Sequence, residues 1–182
     1  MTSTKKRGRT LLIVDKTQES IVGLTWRVGA QLFKKHFDTV VFAPNPGTVY
    51  DVLASYPHGG LDHIQVWGHG APGVPMINGK GLDPGDIAWS AAAGGVVWFR
   101  SCKVLQGLEG HEFTKALTRR GVSVAGHLSN IGWMGSQSNL VAVRAGQQPW
   151  WPVTAKPEAS RPWFPRTVMA LDMRLPEWAF KA

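Results

Sequence analysis

Two stretches decide the reading of this chain: His63-Ile-Gln-Val-Trp-Gly-His-Gly70 and Val96-Val-Trp-Phe-Arg-Ser-Cys102. Each is a short apolar run that ends at a side chain with chemistry of its own. The first delivers His69 between two glycines. The second delivers Cys102, the only cysteine among 182 residues. Continuous apolar runs of this length read as strands buried on both faces, as in parallel sheets. Two such strands, ending on an imidazole and a thiol, point to a nucleophile and its base at one edge of a sheet.

Working outward, the same grammar repeats. Thr10 to Asp15 is a third apolar run, ending in an acid, and Thr39 to Ala43 a fourth, stopped by Pro44-Asn-Pro-Gly47. Between them the spacing predicts a helix from about Gln18 to His36, capped by Thr17, with Ile21, Leu24, Val28 and Leu32 on its buried face. Gly23 and Gly29 weaken that helix but would allow it to pack closely on a sheet. Val49, Val52 and Leu53 predict a second, short helix. Strand, helix, strand, helix, strand implies right-handed crossovers and a mainly parallel sheet.

After Gly70 the pattern changes. Val74–Ile77, Asn78-Gly79 and Lys80–Leu82 predict a small hairpin on a type I′ turn. Asp83-Pro84 opens a short helix expected to run to Ala93, where Gly94-Gly95 breaks it before the strand 96–99. Glu109 to Arg120, with acids first and arginines last, is a helix closed by Gly121. Strands are expected at Val122–Ala125 and Asn139–Arg144. From Pro149 on, the chain holds four of its nine Trp and six of its twelve Pro. This reads as an arm laid over the core, with a possible last strand at Thr167–Arg174. The organisation predicted is a basic disordered tail (1–9), one α/β domain (10–148) and the C-terminal arm packed on it (149–182).

Composition narrows the function classes. One cysteine forms no internal disulfide, which excludes a disulfide scaffold and suits a reducing compartment. No apolar run nears the roughly 20 residues that span a bilayer, so the chain is read as cytoplasmic, with no membrane partner. The net charge is +8, but Lys5, Lys6, Arg7 and Arg9 account for half of it. A nucleic-acid partner therefore rests on that tail and on exposed aromatics alone. No metal and no cofactor is implied: His63, His69 and Asp62 form no compact ligand set, and there is no second cysteine. Gly68-His-Gly-Ala-Pro-Gly73 matches the dinucleotide fingerprint in letters only, because Pro72 and Pro75 follow where a helix should open.

In open α/β sheets functional groups gather at the carboxyl ends of the strands. Asp15, His69, Cys102 and His127 would all lie there. An imidazole within reach favours the thiolate of Cys102. The N–H groups of Gly70 and Cys102 are candidates for an oxyanion site, and Asp15 for a residue that orients His69. Arg100, Ser101 and His127 flank the edge as candidate substrate contacts; Arg100 is alternatively a buried strand cation paired with an acid. The competing reading is that Cys102 is a small apolar filler and Asp15 a cap.

Strand, His-Gly, small hairpin, helix, strand, Ser-Cys resembles the arrangement of caspase-like (clan CD) cysteine peptidases. The wording from Ile64 to about Gly132 is most similar to the caspase-like domain of large bacterial repeat-rich surface proteins. It includes Gly68-His69-Gly70, Asn78-Gly79-Lys80-Gly81-Leu82, Arg100-Ser101-Cys102 and Val124-Ala125-Gly126. The resemblance implies a caspase-like three-layer α/β sandwich and a Cys–His dyad: Cys102 attacks a peptide carbonyl and His69 handles the proton. The caspase Gln-Ala-Cys-Arg-Gly is here Arg100-Ser-Cys-Lys-Val104, so aspartate specificity does not carry over. The alternative is a catalytically silent caspase-like module that binds protein partners, in a host–phage or regulatory setting.

Overall fold

The structure, a computed structural model, describes residues 9–17, 21–130, 139–155, 175 and 177–180. The strands β1 (Thr10–Asp15), β2 (Thr39–Ala43) and β3 (Leu61–Trp67) alternate with helices α1 (Ile21–Phe33) and α2 (Pro46–Ala54). Then come the short strands β4 (His69–Ala71), β5 (Val74–Ile77) and β6 (Lys80–Gly81), helix α3 (Pro84–Ser90), strand β7 (Ala91–Arg100), helix α4 (Gly107–Thr118), and strands β8 (Ser123–His127) and β9 (Leu140–Val143). Six strands form one sheet in the order β2-β1-β3-β7-β8-β9, and β4-β5-β6 form a second, small one. The first five are parallel; β9 runs antiparallel to β8. This is a mixed α/β fold with a mainly parallel sheet flanked by helices.

Strand alternation sends successive side chains to opposite faces. Leu11, Ile13, Ile64, Val66, Val97, Phe99 and Val124 pack on one face with α2, α3 and α4. Leu12, Val14, Trp67 and Val40 pack on the other, beneath Trp26, Ala30 and Phe33 of α1. Further along that second face Trp98, Ala125, Leu140 and Ala142 meet Leu175, Ala179 and Phe180 of the C-terminal arm. The three layers follow directly.

Several local signals act as expected. Asn78 and Gly79 both have positive φ (52° and 67°), the signature of the type I′ turn. Asp83 caps α3 by accepting from Gly85 N–H, with Pro84 in the first helical position. Gly121, at φ 80°, follows α4. A Cβ on Gly29 would come within 3.1 Å of the Trp67 ring, so that glycine does admit α1 close to the sheet.

Three expectations are corrected. The predicted buried stripe of α1 faces solvent: Leu24, Val28 and Leu32 are 54%, 51% and 69% exposed. The large indole of Trp26, with Ala30 and Phe33, takes the sheet side instead. Second, α3 ends at Ser90, and Gly94-Gly95 do not separate a helix from a strand. They lie within β7, where pairing with β3 shifts register after Leu61↔Ala91. A Cβ on Gly95 would sit 3.0 Å from the Asp62 carbonyl oxygen, so the bulge needs glycine. Third, His69 does not simply end β3. It opens β4, which pairs His69 with Met76 and makes the hairpin three-stranded.

Of the predicted tail, residues 1–8 lie outside the described residues. Arg9 already pairs with β3, its N–H on Asp62 Oδ2 and its carbonyl accepting from Asp62 and His63. The expected cap at Thr17 and strand at Thr167–Arg174 fall on or border residues outside the described set. In the arm, Trp151 is buried and donates from Nε1 to the Leu105 carbonyl at 3.0 Å; Trp150 reaches the Ala142 carbonyl at the same distance.

Candidate active site

The carboxyl edge of the sheet is where β3 and β7 run out side by side, with Trp67 paired to Arg100 in the last register position. Beyond that pair the two chains stay together. A methyl group on Gly70 would lie 2.6 Å from the Cys102 carbonyl oxygen, 2.6 Å from Val104 Cγ2 and 3.0 Å from Ser101 Cβ. Glycine is required there for close approach rather than for an unusual φ. The backbones that carry His69 and Cys102 therefore touch.

The turn bearing Cys102 is held from three directions. Lys103 N–H donates to the Ser129 carbonyl at 3.0 Å, Leu105 N–H to the His127 carbonyl at 3.2 Å, and Gly73 N–H to the Val104 carbonyl at 2.9 Å. These bonds over-determine a backbone that would otherwise avoid its conformation: Lys103 sits at φ 58°. A left-handed residue with a Cβ costs about 1–2 kcal/mol, and such outliers concentrate at functional sites. Cys102 itself is half-buried, and Ser101 beside it is fully buried, with no hydrogen-bond partner for Oγ.

His69 is half-buried and meets the Trp26 ring edge-on, 5.3 Å between centroids. Its Nε2 is buried without a hydrogen-bond partner. Asp15, also at the carboxyl edge, is buried and has both oxygens engaged. Oδ1 accepts from Thr17 N–H (2.9 Å) and Oγ1 (2.7 Å); Oδ2 accepts from Asn78 N–H at 3.0 Å. Its described hydrogen bonds thus run to Thr17 and to the hairpin turn rather than to an imidazole. The carboxylate fastens the hairpin turn that follows β5, the strand paired with β4.

Arg100 points to the second face of the sheet, half-buried, with its guanidinium carbon 4.7 Å above the Trp67 ring and 5.1 Å from the Trp98 ring. Burial pulls its pKa down to about 10. Among the described residues its charge has no carboxylate partner: the two ion pairs are Lys115–Glu112 and Arg144–Glu177. The expectation of a paired acid is not met there. His127 closes this side from β8. Burial, and then the charge of Arg100, lower its pKa to about 3, so the ring is neutral, and its Nδ1 has no hydrogen-bond partner.

Sequence reasoning missed the indoles. Trp26, Trp67 and Trp98 line this edge against His69 and Arg100. The signal was present in the period of two: Trp67 precedes His69 by two residues, and Trp98 precedes Arg100 by two. Reasoning also missed a polar ladder behind them. Trp67 Nε1 donates to Gln65 Oε1 at 3.0 Å, and Gln65 Nε2 lies 3.2 Å from His63 Nε2. An indole N–H only donates, so Gln65 must turn its oxygen to Trp67 and its NH2 to His63. His63 Nε2 is then an acceptor, in keeping with a pKa that burial lowers to about 4.

Among the described residues no group of three or more His, Cys, Asp or Glu is arranged to hold a metal ion, and no helix is long and apolar enough to cross a membrane. Gly68–Gly73 enter β4 and the hairpin, so no helix opens at the fingerprint-like glycines.

No protein-family model matches this chain, and no curated protein matches it. Among solved structures it is similar to a secreted C11 cysteine protease from Bacteroides thetaiotaomicron in complex with an irreversible peptide inhibitor. The two share 14% identity at a TM-score of 0.47, over 71% of this chain and 51% of that one. The chain thus spans about half that protein's length. A likeness so slight carries no argument by itself; the fold rests on the order and direction of the strands described above.

Proposed function

We propose that this chain is a caspase-like cysteine endopeptidase working in a reducing compartment such as the cytoplasm. The observation that carries the reading is the contact of Gly70 with Ser101 and Cys102 across the ends of adjacent parallel strands. It brings an imidazole-bearing and a thiol-bearing segment together beside a strained, pinned turn. In the reaction the Cys102 thiolate attacks the scissile carbonyl carbon. His69 holds the thiol proton and delivers it to the departing amine as the C–N bond breaks. Water, deprotonated by the same imidazole, then releases the acyl group and restores the thiol. The Gly70 and Cys102 N–H groups are the candidates to receive the oxyanion. The resemblance in wording to the caspase-like domain of repeat-rich surface proteins supports the same assignment.

Turnover of a peptide library is the test. Cys102→Ala and His69→Ala should each abolish cleavage while leaving the fold intact by circular dichroism. Cleavage that survives Cys102→Ala rules the reading out. A second reading, a silent module that binds protein partners, is favoured by one feature: His69 Nε2 is buried against Trp26 rather than hydrogen-bonded. It predicts partner binding with no turnover in the unaltered protein.

A further inference from the structure

We propose that the outer face of α1, with the basic residues at its carboxyl end and on the amino-terminal segment beside it, docks this protein on an anionic phospholipid surface. The inference is independent of the peptidase reading.

A helix that is apolar on opposite sides needs an apolar neighbour on each. On the sheet side of α1, Trp26, Ala30 and Phe33 have theirs. On the other side Leu24, Val28 and Leu32 stand at i, i+4 and i+8, one aliphatic per turn along about 12 Å of helix. All three are more than half exposed. Single apolar residues at a surface are ordinary, but three in line on one helix make a patch of the kind that marks an interaction surface.

Charge names the partner. Between Ile21 and Phe33 there is no acid. The chain continues into Lys34, Lys35 and His36, with both lysines exposed. The amino-terminal segment joins the sheet at the same end. Thr10 donates from its N–H and Oγ1 to Asp38 Oδ2, at 2.8 and 2.9 Å, and Asp38 lies two residues after His36. Before Thr10 come Arg9, which is exposed, and then Arg7, Lys6 and Lys5, with no acid in that stretch. Backbone length alone keeps Arg7 within about 7 Å of Arg9. Asp38 and Asp62, the acids at this end, accept from the N–H groups of Thr10 and Arg9 and offset only part of the charge. The aliphatic row therefore runs into a cluster of cations.

An anionic bilayer offers both counterparts in one plane: negative headgroups, and acyl chains within about 5–10 Å beneath them. A second copy of this chain would match the aliphatic row but would set a net charge of +8 against another. A nucleic acid would meet the cations but leave three aliphatic side chains unused, since its bases stack on aromatic ones. The expectation of no membrane partner rests on the absence of a spanning segment among the described residues, and a helix lying in the interface needs none.

Co-sedimentation of the full chain with lipid vesicles is the test. Phosphatidylcholine vesicles containing phosphatidylglycerol should carry the protein down, pure phosphatidylcholine vesicles should not, and added salt should weaken the binding. Lys34→Gln/Lys35→Gln should weaken it about 30-fold, at roughly fivefold per lysine. Leu24→Gln/Leu32→Gln should weaken it about tenfold while thermal unfolding stays level. Four results overturn the proposal. The first is no binding to the anionic vesicles. The second is binding that ignores Leu24→Gln/Leu32→Gln and is matched by a single-stranded oligonucleotide, which makes the surface a plain polyanion site. The third is a dimer in sedimentation velocity that this leucine variant splits, which gives the row to a second copy. The fourth is a fall in its unfolding temperature of more than about 5 °C, which gives the row to the chain's own packing.

Discussion

The two faces of the sheet are built from the same strands and do opposite work. The face under α2, α3 and α4 has an aliphatic and aromatic core, from Leu11 and Ile13 to Phe99 and Val124, with buried Asp15 and Ser101 joining it only at the carboxyl edge. The face under α1 and the C-terminal arm begins the same way, with Leu12 and Val14, then turns polar towards its middle. There His63, Gln65, Trp67, Trp98, Arg100 and His127 stand in line on β3, β7 and β8, buried or half-buried. Alternation makes this division possible: Val97 and Phe99 serve the first face while Trp98 and Arg100 serve the second. A fold can thus concentrate its stability on one side of a strand and hold costly polar groups on the other.

The sharpest way to break this comparison is to cut the apolar face. Phe99 is fully buried and meets Phe113 edge-on at 5.0 Å. Phe99→Ala should cost about 3–5 kcal/mol in urea unfolding. A loss under 1 kcal/mol would mean the two faces do not differ as described. Asp15 comes next. Asp15→Ala leaves two backbone N–H groups and a hydroxyl without their acceptor and should cost about 2–3 kcal/mol. It should also loosen the hairpin, seen as faster amide exchange at Asn78.

The polar face predicts a pH dependence of its own. Burial holds His63 at about 4 and His127 at about 3, against an ordinary 6.5. As pH falls, the unfolded chain takes up protons first. The stability tied to these two rings is therefore complete above about pH 6.5 and is lost as pH drops towards 4 and then 3. Urea midpoints should fall across that window, and His63→Gln with His127→Gln should flatten the slope. An unchanged slope would place the acid sensitivity elsewhere.

The smallest effect belongs to the outer side of α1. Leu32 is 69% exposed, so Leu32→Gln should change stability by no more than about 0.5 kcal/mol. That helix also shows where the sequence stopped being legible. It is apolar on more than one side, and period alone chose Leu24, Val28 and Leu32. What decides the face is a non-local fit: Gly29 lets the Trp67 ring approach, and Trp26 and Phe33 come with it. The Asn78-Gly79 turn was legible because its chemistry is local, both residues needing positive φ. Gly94-Gly95 read as a breaker because nothing local says that the Leu61 and Asp62 carbonyls lie against Gly95. At the candidate site, the two motifs and their shared edge could be read from apolar runs ending in His-Gly and Ser-Cys. The stacking of Arg100 on two indoles could not, because it depends on the register of β3 against β7. The anchoring of Asp15 to Asn78 could not either, since it spans 63 residues.

The central claim is that this edge brings His69 to the service of Cys102. The most direct measurement is the alkylation rate of Cys102 by a peptide-like thiol electrophile at neutral pH, in the unaltered protein and in His69→Ala. The account predicts labelling well above that of free cysteine, at least tenfold slower once the imidazole is gone. A Cys102 that labels no faster than free cysteine, at the same rate with or without His69, would contradict it.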